Sequence, residues 1–233
     1  MSRRRDRGWR DRAASELLLG HLPEPAPGSD TLLLMEDPLP GTAPSLEEVG
    51  YRVTRWNRRA QNGLPARSWP APGPFHRVAL RLPRSREELV MALHAGASGL
   101  KPGGVCLLYG AKDEGIRSAS GIMDEVFRGA GTLGVGGHCR VLHGLRQEGS
   151  EGFLGGLEAW RTVVDPGYVE LGDKWVSYPG VFAHGRLDAG TRILLDALPP
   201  LPPGARVLDY GCGSGPVAAV AGRRGGDLVL ELL

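Results

Sequence analysis

One short stretch limits the fold more than any other. Val207-Leu208-Asp209-Tyr210-Gly211-Cys212-Gly213-Ser214-Gly215 runs from an apolar segment through an acid into three alternate glycines, and Pro216 follows. Glycine reaches φ > 0 and leaves no Cβ, so such a loop turns sharply and lets a ligand approach its backbone. Proline suits the first turn of a helix, where its missing N–H costs little. The pattern predicts strand, glycine loop and helix in that order, the opening of an α/β unit with a parallel sheet. Asp209, at the strand end, is placed to accept a hydrogen bond from a ligand amine or hydroxyl.

The glycine spacing narrows the ligand. A dinucleotide loop reads GxGxxG, whereas here the third glycine comes one place early and Pro216 holds the expected position. VLDxGCGxG instead resembles motif I of the class I S-adenosylmethionine-dependent methyltransferases. Upstream, Ser177-Tyr178-Pro179-Gly180-Val181-Phe182, Arg186-Leu187-Asp188-Ala189-Gly190-Thr191 and Leu194-Leu195 resemble the PGVF…LDxGxxLLL segment of the bacterial ribosomal RNA guanine-N2 methyltransferases. The first half resembles that family too, through Leu82-Pro83-Arg84-Ser85, Leu100-Lys101-Pro102-Gly103-Gly104, Tyr109-Gly110-Ala111-Lys112-Asp113-Glu114-Gly115-Ile116 and His138-Cys139-Arg140-Val141-Leu142.

The resemblance implies an α/β protein of two tandem class I methyltransferase (Rossmann-like) domains, the first degenerate and the second catalytic. It implies S-adenosyl-L-methionine as cofactor. It implies ribosomal RNA, or an assembling ribosomal subunit, as partner, with neither membrane nor metal involved. The cofactor-binding candidates are Asp209, Gly211, Gly213 and Gly215, with Glu231 as a candidate for the acid that holds the cofactor ribose. The family's target-amine motif, [ND]-P-P-[FYW], is absent from these residues, so no catalytic residue is assigned. Pro199-Pro200-Leu201 and Pro202-Pro203-Gly204 stand in a helix-to-strand turn and do not supply it. Leu82-Pro83-Arg84-Ser85 offers neither the amide nor the aromatic. The second domain is therefore expected to be cut short after its second strand, leaving Leu228–Leu233 as an exposed edge and the chain inactive on its own. The competing reading is a non-catalytic fragment that binds RNA or the ribosome; a nicotinamide oxidoreductase is disfavoured by the glycine spacing.

An internal repeat supports the tandem arrangement. LLLGHLPEPAPG (17–28) aligns without gaps with ILLDALPPLPPG (193–204), an offset of 176 residues. In both copies a helix, a Pro-rich turn and an apolar strand follow in order. At the same offset Asp209–Gly213 falls on Leu33-Leu34-Met35-Glu36-Asp37, where the glycines are gone and Met35 and Asp37 are expected to fill the cofactor's space. The expected domains are residues 1–143, a polar connector over 144–159, and 160–233.

Expected elements in the first half are a helix over 9–22, a strand at 31–35, a short segment capped by Ser45, and a Pro-rich loop over 63–74. A strand at 77–82, a helix capped by Ser85 with Glu88, a turn at 101–104, a strand at 105–109 and a helix over 116–127 follow. A glycine loop, including the formally GxGxxG-like Gly129–Gly134, then leads to a strand at 139–142. In the second half, three β-type segments over 162–178 follow, the first two joined by an Asp165-Pro166-Gly167 turn. A helix over 187–198, a strand at 206–210, a helix over 216–224 and a strand at 228–233 complete the expected set.

Composition excludes the broad alternatives. No apolar run approaches the ~18–20 residues that span a bilayer. Six arginines against Asp6 and Asp11 make residues 1–12 locally basic, yet the net charge is only +2, so a general polyanion-binding surface is not indicated. That end lacks the apolar core of a signal peptide. Cys106, Cys139 and Cys212 are odd in number and far apart, which fits a reducing compartment such as the cytoplasm. His138, Cys139 and His143 fall short of the four ligands of a structural zinc site.

Overall fold

The computed structural model describes residues 7–25, 30–60, 65–147 and 155–233. Arg3 to Asp6 of the arginine-rich end, Pro27 and Gly28 of the repeat, and residues 148–154 of the connector lie outside the described residues. The chain forms two compact units, Met1–Ala159 and Trp160–Leu233.

Unit 1 is a mixed six-stranded sheet. In chain order its elements are α1 (Arg7–Leu19), β1 (Thr31–Met35), α2 (Thr42–Glu48), β2 (Arg52–Trp56), β3 (Phe75–Arg81), α3 (Arg86–Gly99), β4 (Leu100–Ala111), α4 (Ala119–Asp124), β5 (Arg128–Gly136) and β6 (Cys139–Leu145). The spatial order is β2-β1-β3-β4-β6-β5, with the first four strands parallel and the two hairpin strands antiparallel. Strand alternation sorts the core into two layers. Leu33, Met35, Val78, Leu80, Cys106 and Leu108 pack on Leu89 and Leu93 of α3 and Ile122 and Met123 of α4. Leu32, Leu34, Ala79, Leu107 and Tyr109 pack with Ala14 and Leu18 of α1 and Leu46 of α2 on the other face. Burial on both faces explains why these strands read as unbroken apolar runs.

Ser85 caps α3 as its sequence predicts, accepting the Glu88 N–H at 3.1 Å. Several expectations are corrected. Gly41, not Ser45, precedes α2, and Ser45 lies inside the helix. Lys101–Gly104 is an irregular part of β4, where Gly103 (φ +73) and Gly104 hydrogen-bond Arg146 and the pairing with β3 skips residues. Gly129–Gly134 lies in β5 and not in a loop. β6 continues to Leu145, two residues past the boundary placed at 143. β2 was not anticipated at all.

Unit 2 contains β7 (Thr162–Val164), β8 (Trp175–Ser177), α5 (Ala189–Asp196), β9 (Arg206–Asp209), α6 (Pro216–Arg224) and β10 (Val229–Leu232). β7 pairs antiparallel with β8, and the expected middle strand at 168–171 is a turn of 3-10 helix. The Asp165-Pro166-Gly167 turn therefore leads into that helix instead of closing a two-strand hairpin. β9 and β10 form a parallel pair whose second strand is exposed throughout. The core is small, built on Leu171, Leu195 and Val220. Arg224 holds it together: its guanidinium donates to the Leu195 and Leu198 carbonyls at 2.9 and 3.2 Å and to Glu170 at 2.7 and 2.8 Å.

β1-α2-β2 and β9-α6-β10 repeat the same parallel crossover. Paired residues are 21 apart in the first (Leu33 with Thr54) and 23 apart in the second (Asp209 with Leu232). The second unit thus spends two more residues between its strands, in the crossover that carries the glycine loop.

Candidate functional site

The site of unit 2 grows from the carboxyl end of β9, where open α/β sheets hold ligands. Gly211, Gly213 and Gly215 have φ of +80, +57 and +80°, all in the left-handed region. A Cβ at Gly211 or Gly215 would meet no protein atom within 4 Å, so the loop opens onto free space. Gly215 sits immediately before α6, and Pro216 occupies the first turn as the sequence predicts. Asp209 does structural work with one oxygen: Oδ2 accepts the Ala218 N–H of α6 at 3.3 Å. The Gly211 and Cys212 amides are taken by the Leu233 carbonyl at 2.8 and 3.1 Å, which ties the loop to the strand beside it.

A crevice of about 220 Å³ faces this loop. Asp209, Tyr210, Gly211, Cys212, Gly213 and Ser214 line it together with Phe182, Arg186 and Asp188. Ser177, buried at the end of β8, anchors the segment after Phe182, with its Oγ 2.8 Å from His184 Nδ1 and accepting the Gly185 N–H at 3.2 Å. Asp188 caps α5 through the Thr191 N–H at 3.1 Å. Phe182 is 73% exposed, an apolar ring presented to solvent at the crevice.

The structure brings Asp209, Gly211 and Gly213 into one crevice, with Gly215 turning the chain into α6 behind them. It does not bring Glu231 there. Glu231 pairs in register with Leu208 and reaches back to Arg206 at 2.5 Å, toward the amino end of β9 and away from the glycines. Glu231 lies one residue short of the carboxyl end of β10, and its side chain is engaged by Arg206 instead. Sequence reasoning did not place Phe182, Arg186 and Asp188 in the site; the only signal was the PGVF…LDxG segment that contains them.

Unit 1 handles the equivalent corner differently. Asp37, which the repeat sets opposite Gly213, is 1% exposed. Its carboxylate accepts from Ser15 Oγ at 3.1 Å, Tyr109 Oη at 2.5 Å, Thr42 Oγ1 at 3.2 Å and the Leu39 N–H at 2.7 Å. Burial first, then the Asp37 charge, pushes the Tyr109 phenol well above its ordinary range. Met35 is fully buried in the core. The loop position is therefore filled by a satisfied polar knot. Among the described residues no group of three or more His, Cys, Asp or Glu is arranged to hold a metal, and no helix is long and apolar enough to cross a membrane.

Known proteins resemble both halves of the chain. Residues 52–154 match the methyltransferase small domain N-terminal family and residues 174–233 match the methyltransferase small domain family. The ribosomal RNA small subunit methyltransferase C of Hahella chejuensis is 31% identical over 220 residues, covering 88% of this chain and 62% of that protein. Its counterpart from Pseudomonas putida is 36% identical over 156 residues, covering 66% of this chain and 45% of that protein. A solved structure, the T. thermophilus 16S rRNA N2 G1207 methyltransferase in complex with AdoMet and guanosine, superposes with a TM-score of 0.72 at 26% identity, covering 96% of this chain and 63% of that one. The chain spans 42–62% of the length of the first two curated relatives it matches.

Proposed function

We propose that this chain, which carries both domains of the methyltransferase small-domain family, binds S-adenosylmethionine in unit 2 and belongs to a protein that methylates the exocyclic N2 of a guanine in ribosomal RNA. The observation that carries the reading is the crevice at the end of β9. Three glycines in left-handed conformations leave open space at the backbone, and a strand-end acid stands beside them. A cofactor with a nucleoside and an amino-acid end fits such a cradle, because backbone and ligand meet without an intervening Cβ.

When bound, the cofactor would supply a sulfonium methyl for attack by an amine nitrogen, with the neutral thioether as the leaving group. What these residues contribute is position. The glycine loop would set the cofactor against β9, Asp209 fixes the loop to α6 while lining the crevice, and Phe182, Arg186 and Asp188 line the same crevice. Holding reactants in an attack geometry is itself a large share of catalysis. The group that would hold the target amine is not assigned to any of these residues. Ribosomal RNA is the proposed partner and the cytoplasm the proposed compartment. The proposed domain division keeps the expected first domain, connector and second domain (160–233), with the first domain extended from 143 to the end of β6 at Leu145.

The test is calorimetric. The chain should bind S-adenosylmethionine in preference to NAD, and Gly213→Val should weaken binding at least ~10-fold, since a branched side chain at positive φ displaces the loop. Unchanged affinity in that variant, or a preference for NAD, would reject the reading. Labelled cofactor incubated with unmodified ribosomal subunits tests the second part: stoichiometric guanine methylation by this chain would show that it is catalytically sufficient.

A further inference from the structure

Unit 1 keeps an open crevice although its glycine-loop position is plugged. β1 lies between β2 and β3, so the chain reverses direction across the sheet there, which is where open α/β sheets bind ligands. At the carboxyl ends of β1 and β3 lies a cleft of about 520 Å³, within the range of small-molecule sites. Glu36, Arg59, Arg84 and Glu88 are among its lining residues.

The electrostatics of this cleft are two-sided. In nucleotide-binding sheets an acid after the second strand holds the ribose, and an arginine there accepts a phosphate instead. β2 ends at Trp56 and is followed by Asn57-Arg58-Arg59, two cations and no acid. Arg59 is set in place by Glu88, whose side chain is 4% exposed and whose Oε1 takes no hydrogen bond but lies 3.2 Å from the guanidinium. Arg84 stands exposed after β3. Glu36 sits on the wall at φ +57, a costly conformation for a side chain of its size. Its Oε1 accepts the Arg58 N–H at 2.9 Å, which locks the ends of β1 and β2 together.

We propose that this cleft binds a guanosine nucleotide, with the Arg59 and Arg84 guanidiniums on the phosphate and the Glu36 carboxylate on the base. A bare phosphate would meet Glu36 and Glu88, and a neutral nucleoside would make no use of the arginines, so an amphoteric ligand fits best. A carboxylate is acceptor-only and takes two donors side by side. Among the common bases, guanine alone presents adjacent donors, N1–H and the N2 amine. The nucleotide is either free or an unpaired residue of an RNA strand, the form in which proteins read RNA bases. The inference stands on unit 1 alone and does not depend on the cofactor reading for unit 2.

The experiment titrates the chain with GMP, IMP, AMP and CMP. GMP should bind tightest, and IMP, which lacks only the 2-amino group, on the order of tenfold more weakly, the size of one such base contact. Arg84→Ala should weaken GMP and IMP alike, whereas Glu36→Gln should erase the preference for GMP over IMP while keeping the acceptor for Arg58. Arg117→Ala, an exposed arginine outside the cleft, should change nothing. A short single-stranded RNA containing one guanine, compared with GMP, identifies the source: tighter binding of the RNA points to RNA, equal or weaker binding to the free nucleotide. Equal affinity for all four nucleotides, no binding at millimolar concentration, no effect of Arg84→Ala, or an equal effect of Arg117→Ala would overturn the proposal.

Discussion

The two parallel crossovers of this chain, β1-α2-β2 and β9-α6-β10, use one plan for opposite ends. In unit 1 the loop after the first strand is closed by Asp37 and four donors, and β1 is buried between helices. In unit 2 the corresponding loop has glycines, faces a crevice, and follows strands that keep much of their surface in solvent. A fold can keep its scaffold and lose a site by replacing backbone access with a hydrogen-bonded side chain, which is why fold alone does not establish function. The extra two residues in the second crossover are the complementary change, since backbone needed for a ligand is not needed for packing.

The largest test of this contrast substitutes leucines in the two units. Leu108 is fully buried in β4, whereas Leu208 of β9 is 55% exposed. Leu108→Ala should destabilise unit 1 by about 2–5 kcal/mol, the range for a core cavity. Leu208→Ala should fall within about 0.5 kcal/mol of the parent, as surface changes do. Denaturant midpoints measure both, and a comparable loss for the two would mean that β9 is packed far better than its exposure indicates.

The two aspartates come next. Asp37→Ala strands buried donors on Ser15, Tyr109, Thr42 and Leu39 and should cost about 2–3 kcal/mol. Asp209→Ala loses a single backbone hydrogen bond and should cost about 1 kcal/mol or less, while weakening S-adenosylmethionine binding. Asp37→Ala should leave that binding unchanged. If calorimetry finds the cofactor lost with Asp37 and retained with Asp209, the units have been assigned the wrong way round.

What could be read from the sequence follows the same division. β1, the capped α3 and the β9-loop-α6 unit were legible because local chemistry and burial agree there. β5 was not, because Gly129, Gly131, Gly134 and Gly136 carry no strand signal. The structure supplies a reason for two of them: a Cβ on Gly134 would lie 2.5 Å from the His21 ring and one on Gly136 3.1 Å from Leu17, so these two glycines admit Leu17 of α1 and His21 just beyond it. β2 (Arg52-Val53-Thr54-Arg55-Trp56) was hidden by its charges, an edge strand with only Trp56 deeply buried. The cleft of unit 1 was invisible for a different reason. Glu36, Arg59 and the Arg84–Glu88 stretch are far apart in sequence and meet only where β1, β2 and β3 end.

The smallest effect concerns acid, and it has opposite signs in the two units. Burial, the largest influence on Glu36, raises its carboxyl above the ordinary glutamate range, with the nearby Glu88 charge adding to it. The folded state of unit 1 thus holds a proton there more readily than the unfolded chain does. That contribution is fully present below about pH 4.3, the unfolded value, and is lost as pH rises through the folded one. In unit 2 the Arg224 hydrogen bonds hold Glu170 below its ordinary range, so its contribution is present above about pH 4.3 and is lost as pH falls through the folded value. Glu36→Gln should therefore stabilise unit 1 near neutrality, and Glu170→Gln should loosen α6 at pH 6 but little at pH 3. Hydrogen exchange of the α3 and α6 amides across that range reads both arms. Acid protecting α6, or the two substitutions shifting exchange in the same direction at pH 6, would show that these carboxylates do not distinguish the units.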